Sequence, residues 1–414
     1  MAIRTQKDAE DMIYRSYLRA ADSITEKLDE HVRKPELTRK LLDMVGSPDQ
    51  GQKIILVTGS KGKGSTSRLI SSLLSHMGHK VGLFTSPHLY HFNERIRIDG
   101  KAISEHDFIR FSQQIEPAFK KIEAGLPAGA YQGPIGLTLT VALLYFQESK
   151  TDFNVIECGR GGTFDDTNVL RNGWAVITPI LEEHVQQIGP TLKEITTHKV
   201  GIVKEDTRHI YISEQREAVK AQIKALLKMS RKMASFYGEE FFAEDKAISF
   251  RGTKFSVTTT RGSYENLNLP LLGEFQAVNA ALALQLCTDL HGKKLEEKTV
   301  QHCFSKLQWP GRCEIIKEEP TIIVDGAIHR DSALFLKNII RKMAEDGKRK
   351  VTSIIGVPEN KDYKGVIEVL SSVSDQLMVT QPDRTHLKFP KDALEVAAHY
   401  KAGSLAFERL EEAI

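Results

Sequence analysis

Short apolar runs alternate with segments of helical periodicity along most of the chain, and this alternation predicts the fold class. The runs are nearly continuous in Val, Ile and Leu, which is typical of strands buried on both faces of a parallel sheet. The strands predicted in this way are Ile54–Thr58, Val81–Thr85, Asn154–Glu157, Ala175–Thr178 and His209–Ile212. Helical segments between them would cover both faces, so the pattern indicates an α/β fold with a mostly parallel sheet flanked by helices.

Two segments outside this alternation have patterns of their own. Within residues 8–45, Leu37, Leu41 and Leu42 recur at helical spacing, and we predict two helices ahead of the sheet. The segment 254–260 is rich in Val, Thr and Phe, which are residues that favour strands. We expect it to form a small β appendage.

A second, shorter α/β series begins after the sequence QWPGR at 308–312, where proline and glycine interrupt the pattern. Its predicted strands are Thr321–Val324, Val351–Gly356, Gln376–Thr380 and Ser404–Phe407. We therefore predict two domains, a P-loop-type sheet domain at residues 1–306 and a smaller C-terminal Rossmann-like α/β domain at residues 307–414.

The composition is that of a globular protein, and it narrows the function classes. Of the 414 residues, 41% are hydrophobic and 27% are charged, and the formal net charge is +3. This charge is too small to favour a dedicated nucleic-acid or membrane-surface binder. Four cysteines without CxxC spacing argue against a zinc site and favour a reducing compartment. Since the sequence MAIRTQKDAED at the start also lacks an apolar signal core, we expect a cytoplasmic protein.

The segment KIILVTGSKGKGSTSRL at 53–69 runs from a predicted strand through a glycine-rich turn into a predicted helix. Backbone N–H groups of such a turn, with the positive end of the helix, can bind phosphate. Lys63 would add a mobile charge for the β- and γ-phosphates, and Ser65 or Thr66 a hydroxyl for Mg²⁺. A flexible glycine turn is the structural alternative. The residues predicted to bind the nucleotide here are Gly59, Gly62, Lys63, Gly64, Ser65 and Thr66.

Polar residues also follow other predicted strands. Glu157 ends one strand ahead of a glycine-rich loop, and Ser86 begins a Ser-Pro-His sequence after another. A carboxylate facing a phosphate loop can hold Mg²⁺. His184 and Lys199 follow a further strand, although each residue alone could equally be structural. Because the carboxyl ends of parallel strands meet at one edge, we predict that these loops converge.

Several motifs occur in a fixed order along the chain. They are G-x-x-G-K-G-S, SPHL…FNERI, ECGRGG…DDTNV, EEHVQQIGPT…HKVGIVK, LPLLGEFQAVNAALA, WPGR and VDGA. With these motifs the sequence resembles the Mur ligase superfamily, specifically its folylpolyglutamate synthase/dihydrofolate synthase branch, from about residue 35 onward. The resemblance implies an ATP-dependent, ADP-forming amide ligase. In such enzymes ATP phosphorylates a substrate carboxylate, and the amino group of an amino acid attacks the acyl phosphate.

The resemblance also implies roles for individual residues in catalysis. Lys63 would bind the phosphates. Ser65, Ser86 and Glu157 match the residues around one Mg²⁺, and His184 matches a ligand of a second Mg²⁺. Lys199 matches a lysine that is carbamylated in many relatives, where the carbamate assists the metal and the transferring phosphate.

Further positions implied by the resemblance concern the nucleotide and the partners. Gln276 and Asn279 match residues near the adenine, while Arg312 and Asp325 match nucleotide-binding residues at the domain junction. The implied partners are ATP, L-glutamate and a carboxylic-acid acceptor, by default folate or dihydropteroate. Neither a nucleic acid nor a membrane is expected.

The chain departs from the family pattern at three places. Ser60 and Lys61 replace a Thr-Asn pair in the phosphate loop, which adds a positive charge. Ile135 and Gly136 stand where a Phe-Glu pair near the pteridine site is usual, and Ile328 replaces a histidine. The match also ends ahead of a last helix and strand that the family normally has. None of these departures removes Lys63, Glu157, His184 or Lys199, so we expect the nucleotide half to be competent and the acceptor half to be altered.

These departures leave two alternatives beside the folate ligase. In one, the same ligase chemistry acts on a non-folate carboxylic acid in a specialised biosynthetic pathway. In the other, the protein is a nucleotide-binding regulator that has lost catalysis, although retention of Lys63, Glu157, His184 and Lys199 argues against this.

Overall fold

The computed structural model describes residues 3–228, 230–344, 349–381 and 387–414. The strands in chain order are β1 (Ile54–Thr58), β2 (Val81–Phe84), β3 (Ile96–Ile98), β4 (Lys101–Ala102), β5 (Phe153–Glu157), β6 (Trp174–Ile177), β7 (His209–Ile212), β8 (Met233–Phe236), β9 (Phe242–Ser249), β10 (Gly252–Thr259), β11 (Gly262–Leu269), β12 (Glu314–Lys317), β13 (Ile322–Val324), β14 (Thr352–Ile355), β15 (Gln376–Thr380) and β16 (Leu405–Phe407).

The α-helices in chain order are α1 (Gln6–Ala20), α2 (Asp29–Val32), α3 (Pro35–Met44), α4 (Lys63–His76), α5 (Glu105–Glu123), α6 (Pro134–Glu148), α7 (Val185–Ile188), α8 (Leu192–Val200), α9 (Glu217–Lys228), α10 (Glu274–His291), α11 (Glu297–Ser305), α12 (Arg330–Ala344), α13 (Tyr363–Ser371), α14 (Ala393–Tyr400) and α15 (Leu410–Ala413). Single turns of 3₁₀-helix lie at Ala21–Ser23, Phe92–Arg95 and Asp166–Val169.

The main sheet has the strand order β4-β3-β2-β5-β1-β6-β7-β8. The six neighbouring strands β2, β5, β1, β6, β7 and β8 pair in parallel, and β3 and β4 add an antiparallel hairpin at the β2 edge. The predicted α/β fold with a mostly parallel sheet is therefore confirmed. The hairpin and β8 were absent from the prediction, since their segments lack a continuous apolar run.

The central strands are buried on both faces, as their sequences predict. Every residue of β1 and of β5 is buried, and the helices packed on the sheet supply the rest of one continuous hydrophobic core. Ahead of the sheet, α1 and α3 are the two helices predicted within residues 8–45, although α1 already begins at Gln6. The short helix α2 interrupts them, and its sequence DEHV is too short and too polar to show a helical pattern.

The chain forms two compact units. The first comprises Met1–Glu244, Phe255–Leu267 and Phe275–Leu307, and the second comprises the segments Asp245–Lys254, Asn268–Glu274 and Gln308–Ile414. From Gln308 onward the chain belongs to the second unit. The two predicted domains, with their boundary at residue 306, stay a prediction. Where the small β appendage was predicted, the structure has a three-stranded sheet in the order β11-β10-β9.

The second unit contains a parallel sheet of its own. It has the order β14-β15-β16, and β12 pairs with β13 in a separate antiparallel ribbon. Its core is smaller than that of the first unit and includes Ile355, Leu370 and Leu377. Within the described ranges, no helix is long and apolar enough to cross a membrane, and the cytoplasmic location stays a prediction.

The central strand offers a test of the fold. Leu56 in β1 is 0% exposed and belongs to the main core, so Leu56→Ala should destabilise the protein by about 2–5 kcal/mol. Leu18 on α1 is 64% exposed, and Leu18→Ala should change stability by less than about 0.5 kcal/mol. The midpoints of urea unfolding of the two variants measure the difference. Equal midpoints would contradict the burial of β1.

Candidate active site

The phosphate loop lies between β1 and α4, as predicted. Gly59 has φ +137° and Gly62 has φ +83°, conformations that favour glycine. A Cβ on Gly59 would lie 2.0 Å from Thr178 Oγ1, and a Cβ on Gly62 would lie 2.8 Å from Asn279 Oδ1. Both the backbone conformation and the close neighbours therefore require glycine at these two positions.

The helix after the loop begins at Lys63, so its first free N–H groups point into the loop. Lys63 Nζ donates to the carbonyls of Gly59 at 2.9 Å and Ser60 at 3.3 Å. The next residues, Gly64 and Ser65, lie in the first turn of α4. Thr66 follows with a buried hydroxyl that has no hydrogen-bond partner among the described residues. This end of the helix is suited to an anion with several oxygens.

Glu157 and Ser86 meet at the carboxyl edge of the sheet. Their strands β5 and β2 are parallel neighbours in which Ile156 pairs with Phe84, so the residues that follow lie side by side. Glu157 is 4% exposed, and its Oε2 accepts a hydrogen bond from the Ser86 backbone N–H at 3.0 Å. Two of the residues predicted around Mg²⁺ are therefore together, and their role as ligands stays a prediction.

Lys199 on α8 is fully buried, and its side chain contacts the backbone of the phosphate loop. Its Nζ donates to Gly59 O at 2.8 Å and to Arg160 O at 3.0 Å, and it lies 3.7 Å from Glu183 Oε1. Burial, followed by repulsion from the Lys63 ammonium, lowers the pKa of Lys199 to about 7. A substantial fraction of this amine is therefore neutral near pH 7.

Glu183 is a residue that the sequence analysis missed. Its Oε2 lies 3.4 Å from Lys61 Nζ, while its Oε1 faces Lys199. Burial alone would raise the pKa of the Glu183 carboxyl, but the ammonium groups of Lys199, Lys63 and Lys61 outweigh burial and lower it. The sequence signal was the acidic pair Glu-Glu directly before His184, which a search for metal ligands alone passes over.

His184 directly follows Glu183 and occupies the N-cap position of α7 without a side-chain capping hydrogen bond. Its backbone has φ +53°, a left-handed conformation that is uncommon outside glycine and often marks functional sites. Its role as a ligand of a second Mg²⁺ stays a prediction.

Gln276 and Asn279 lie one helical turn apart on α10, beside the phosphate loop. Asn279 Nδ2 donates to Gln276 Oε1 at 3.0 Å, and Asn279 Oδ1 is the atom that a Cβ on Gly62 would meet. Gln276 is 0% exposed, and within the described part of the chain its Nε2 has no hydrogen-bond partner. A buried amide without an acceptor is costly, so this position fits a donor to a bound base.

Arg312 and Asp325 belong to the second unit. Asp325 Oδ2 accepts a hydrogen bond from the Cys313 backbone N–H at 3.0 Å, and Arg312 Nη1 donates to Gly311 O at 3.3 Å. Asp325 therefore lies against the residue that directly follows Arg312. Their part in a nucleotide site stays a prediction.

Two further polar residues hold the glycine-rich loop after Glu157. Asp165 Oδ2 accepts from the Gly159 N–H at 3.1 Å, and His198 Nδ1 accepts from the Gly162 N–H at 3.1 Å. Burial lowers the pKa of His198, which favours the neutral ring that this contact needs. Asp165 lay inside a motif noted in the sequence, whereas His198 had no signal of its own.

The donors present fit a nucleoside polyphosphate with Mg²⁺. Positive groups surround the loop, and Glu157 supplies a buried carboxylate at its edge. Nowhere in the described ranges do three or more His, Cys, Asp or Glu side chains form a group that could hold a metal ion. A Mg²⁺ ion here would rely on one or two protein groups together with hydroxyl and phosphate oxygens, which is the usual arrangement for this ion.

Known proteins are similar to this chain in both sequence and fold. A family model described as the Mur ligase middle domain matches residues 57–287. The chain is 29% identical to a dihydrofolate synthase/folylpolyglutamate synthase of Bacillus subtilis over 346 residues, covering 81% of this chain and 77% of the relative. It is 31% identical to the protein of that description from Mycobacterium tuberculosis over 333 residues, covering 76% of this chain and 67% of the relative.

A solved structure extends the match to almost the whole chain. It is the Mycobacterium tuberculosis folylpolyglutamate synthase complexed with ADP, with a TM-score of 0.85 and 26% identity over 98% of this chain and 90% of that chain. The family match alone spans more than half of the 414 residues. The chain therefore belongs to the Mur ligase family, in its folylpolyglutamate synthase/dihydrofolate synthase branch.

Proposed function

We propose that the protein is an ATP-dependent, ADP-forming ligase that joins the amino group of an amino acid, L-glutamate, to a carboxylic acid. The observation that carries the proposal is the meeting of Glu157 with Ser86, and of Lys199 with Gly59, around one phosphate loop. Relatives described as folylpolyglutamate synthases, one of them solved with ADP, support this reaction class.

The residues divide the chemistry among them. Lys63 and the N-terminal end of α4 would hold the β- and γ-phosphates, and a carbamate on Lys199 would help to hold a metal ion beside the phosphate that is transferred. Negative charge develops on that phosphoryl group in the transition state, so fixed positive groups lower the barrier. Mg²⁺ held by Glu157 with Ser65 and Ser86, and a second ion at His184, would neutralise further charge.

For the acceptor acid, folate or dihydropteroate is proposed because the relatives' descriptions name folate compounds. A non-folate acid is the alternative, and two positions favour it. Gly136 is packed so closely that a Cβ there would lie 2.0 Å from Thr38 Oγ1. Ile328 packs against the core of the second unit. Neither position carries the polar group of the family pattern.

The acceptor can be identified by direct turnover. Purified protein with Mg²⁺, ATP and L-glutamate should release ADP only when tetrahydrofolate or dihydropteroate is added, and the product mass should rise by one glutamyl unit. A reaction without L-glutamate is the control. If the protein binds ATP but neither pterin stimulates ADP release, the folate acceptor is wrong, and other carboxylic acids should then be screened.

Glu157 separates the ligase from a nucleotide-binding regulator. Because its carboxylate would hold Mg²⁺ rather than the base, Glu157→Gln should lower turnover by at least ~100-fold and weaken nucleotide binding by less than ~10-fold. Glu205 is exposed, and Glu205→Gln should leave both unchanged. Turnover that survives in Glu157→Gln would remove Glu157 from the site, and a wild-type protein that binds ATP without any turnover would favour the regulator.

Lys199 is proposed to carry a carbamate, which its neutral amine would form by adding CO₂ and releasing one proton. Since the pKa of Lys199 is about 7, the reactive neutral fraction rises as the pH increases through 7. With ¹³C-labelled bicarbonate, and dissolved CO₂ held constant, the carbamate NMR signal should grow between pH 6 and pH 8. Lys199→Gln should lose that signal. A spectrum shared by the wild type and Lys199→Gln would overturn the assignment.

A further inference from the structure

Two backbone N–H groups of the phosphate loop are already hydrogen-bonded within the protein. The N–H groups of Ser60 and Lys61 both donate to Pro179 O, at 2.8 and 3.3 Å. The Ser60 hydroxyl donates to Leu181 O at 3.2 Å and accepts from the Leu181 N–H at 2.9 Å. Neither amide is therefore free to bind a phosphate oxygen. Residue 61 can serve the site only through its side chain, and that side chain is a lysine.

The position of the Lys61 ammonium is set by Glu183. The pair is separated by 3.4 Å, and the side chains are 30% and 8% exposed, respectively. A charge-assisted hydrogen bond is normally 2.7–2.9 Å long, so this contact is Coulombic and loosely held. Because Lys61 remains partly exposed to solvent and the contact is long, an anion with higher charge can replace Glu183 as its partner.

Glu183 lies between two lysine side chains. Its Oε2 is 3.4 Å from Lys61 Nζ, and its Oε1 is 3.7 Å from Lys199 Nζ. This arrangement places Lys61 on the side of the loop where Lys199 lies. The terminal phosphate of a polyphosphate carries more negative charge than one carboxylate, so it can take over the Lys61 ammonium.

We propose that Lys61 is a second phosphate-binding lysine, which Glu183 holds beside the loop until the terminal phosphate of a nucleoside triphosphate takes it over. The inference rests on the proposed function, because it takes the site to bind ATP. Its consequence is selectivity: Lys61 strengthens binding of the triphosphate more than binding of the diphosphate, and so favours release of ADP over ATP.

The test is calorimetric binding of ADP and of a non-hydrolysable ATP analogue, each with Mg²⁺. Lys61→Gln should weaken binding of the ATP analogue about tenfold and binding of ADP less than about threefold. Lys61→Arg keeps the charge and should restore most of the difference. Lys224 on α9 pairs with Glu239 at the surface, and Lys224→Gln removes the same charge elsewhere and should leave both affinities unchanged.

Glu183→Gln separates a phosphate-binding lysine from a structural ion pair. If the pair only stiffens the loop, Glu183→Gln and Lys61→Gln should weaken ADP and the ATP analogue alike. If Lys61 binds the terminal phosphate, Glu183→Gln removes its competitor and should keep or raise the preference for the ATP analogue, and Lys61→Gln should lose that preference. A ratio unchanged in Lys61→Gln overturns the proposal.

The same experiment distinguishes this failure from failure of the ligase proposal. Selective binding of the ATP analogue through Lys61, without ADP formation on any acid, would leave the Lys61 assignment standing and remove the ligase. Full ligase turnover, with the ratio of the two nucleotide affinities unchanged in Lys61→Gln, would leave the ligase standing and remove the Lys61 assignment.

Discussion

The hydrogen bonds of the buried Lys199 amino group connect the separate segments of the site. Lys199 donates to the carbonyls of Gly59 and Arg160, which follow the adjacent strands β1 and β5. One amino group therefore joins two loops of the sheet to α8. A buried ammonium is costly unless it is paired, and Glu183 supplies the counter-charge at 3.7 Å. The loop, α8 and the segment before His184 are consequently held as one structure.

Buried charges also tie the N-terminal helices to this site. Arg160 donates to Asp29, Arg33 lies 3.7 Å from Asp166, and Thr38 donates to Asp166 at 2.7 Å. Burial raises the pKa of the Asp166 carboxyl to about 6 against the opposing charge of Arg33. Because removing one partner would leave a buried charge unpaired, residues ahead of the family match at 57–287 are part of the site's support.

Much of the fold was predictable, because strands buried on both faces must be apolar throughout. The bounds predicted for β1, β7 and β15 are those of the structure. The strands that sequence reasoning missed lie where that constraint is absent. The edge hairpin of β3 and β4 has a partly exposed sequence, and β8 is exposed at its first residue.

The phosphate loop, the strand ends that carry Glu157 and Ser86, and the family could all be predicted from the order of residues. These features are local, since glycine spacing and apolar runs act within a few residues. Which charges meet depends on the folded chain. Lys61 faces Glu183, and His198 accepts from Gly162, across long stretches of chain. Periodicity reports whether a residue is buried, whereas the pairing of buried charges depends on how separate elements pack, and no spacing in the chain encodes that.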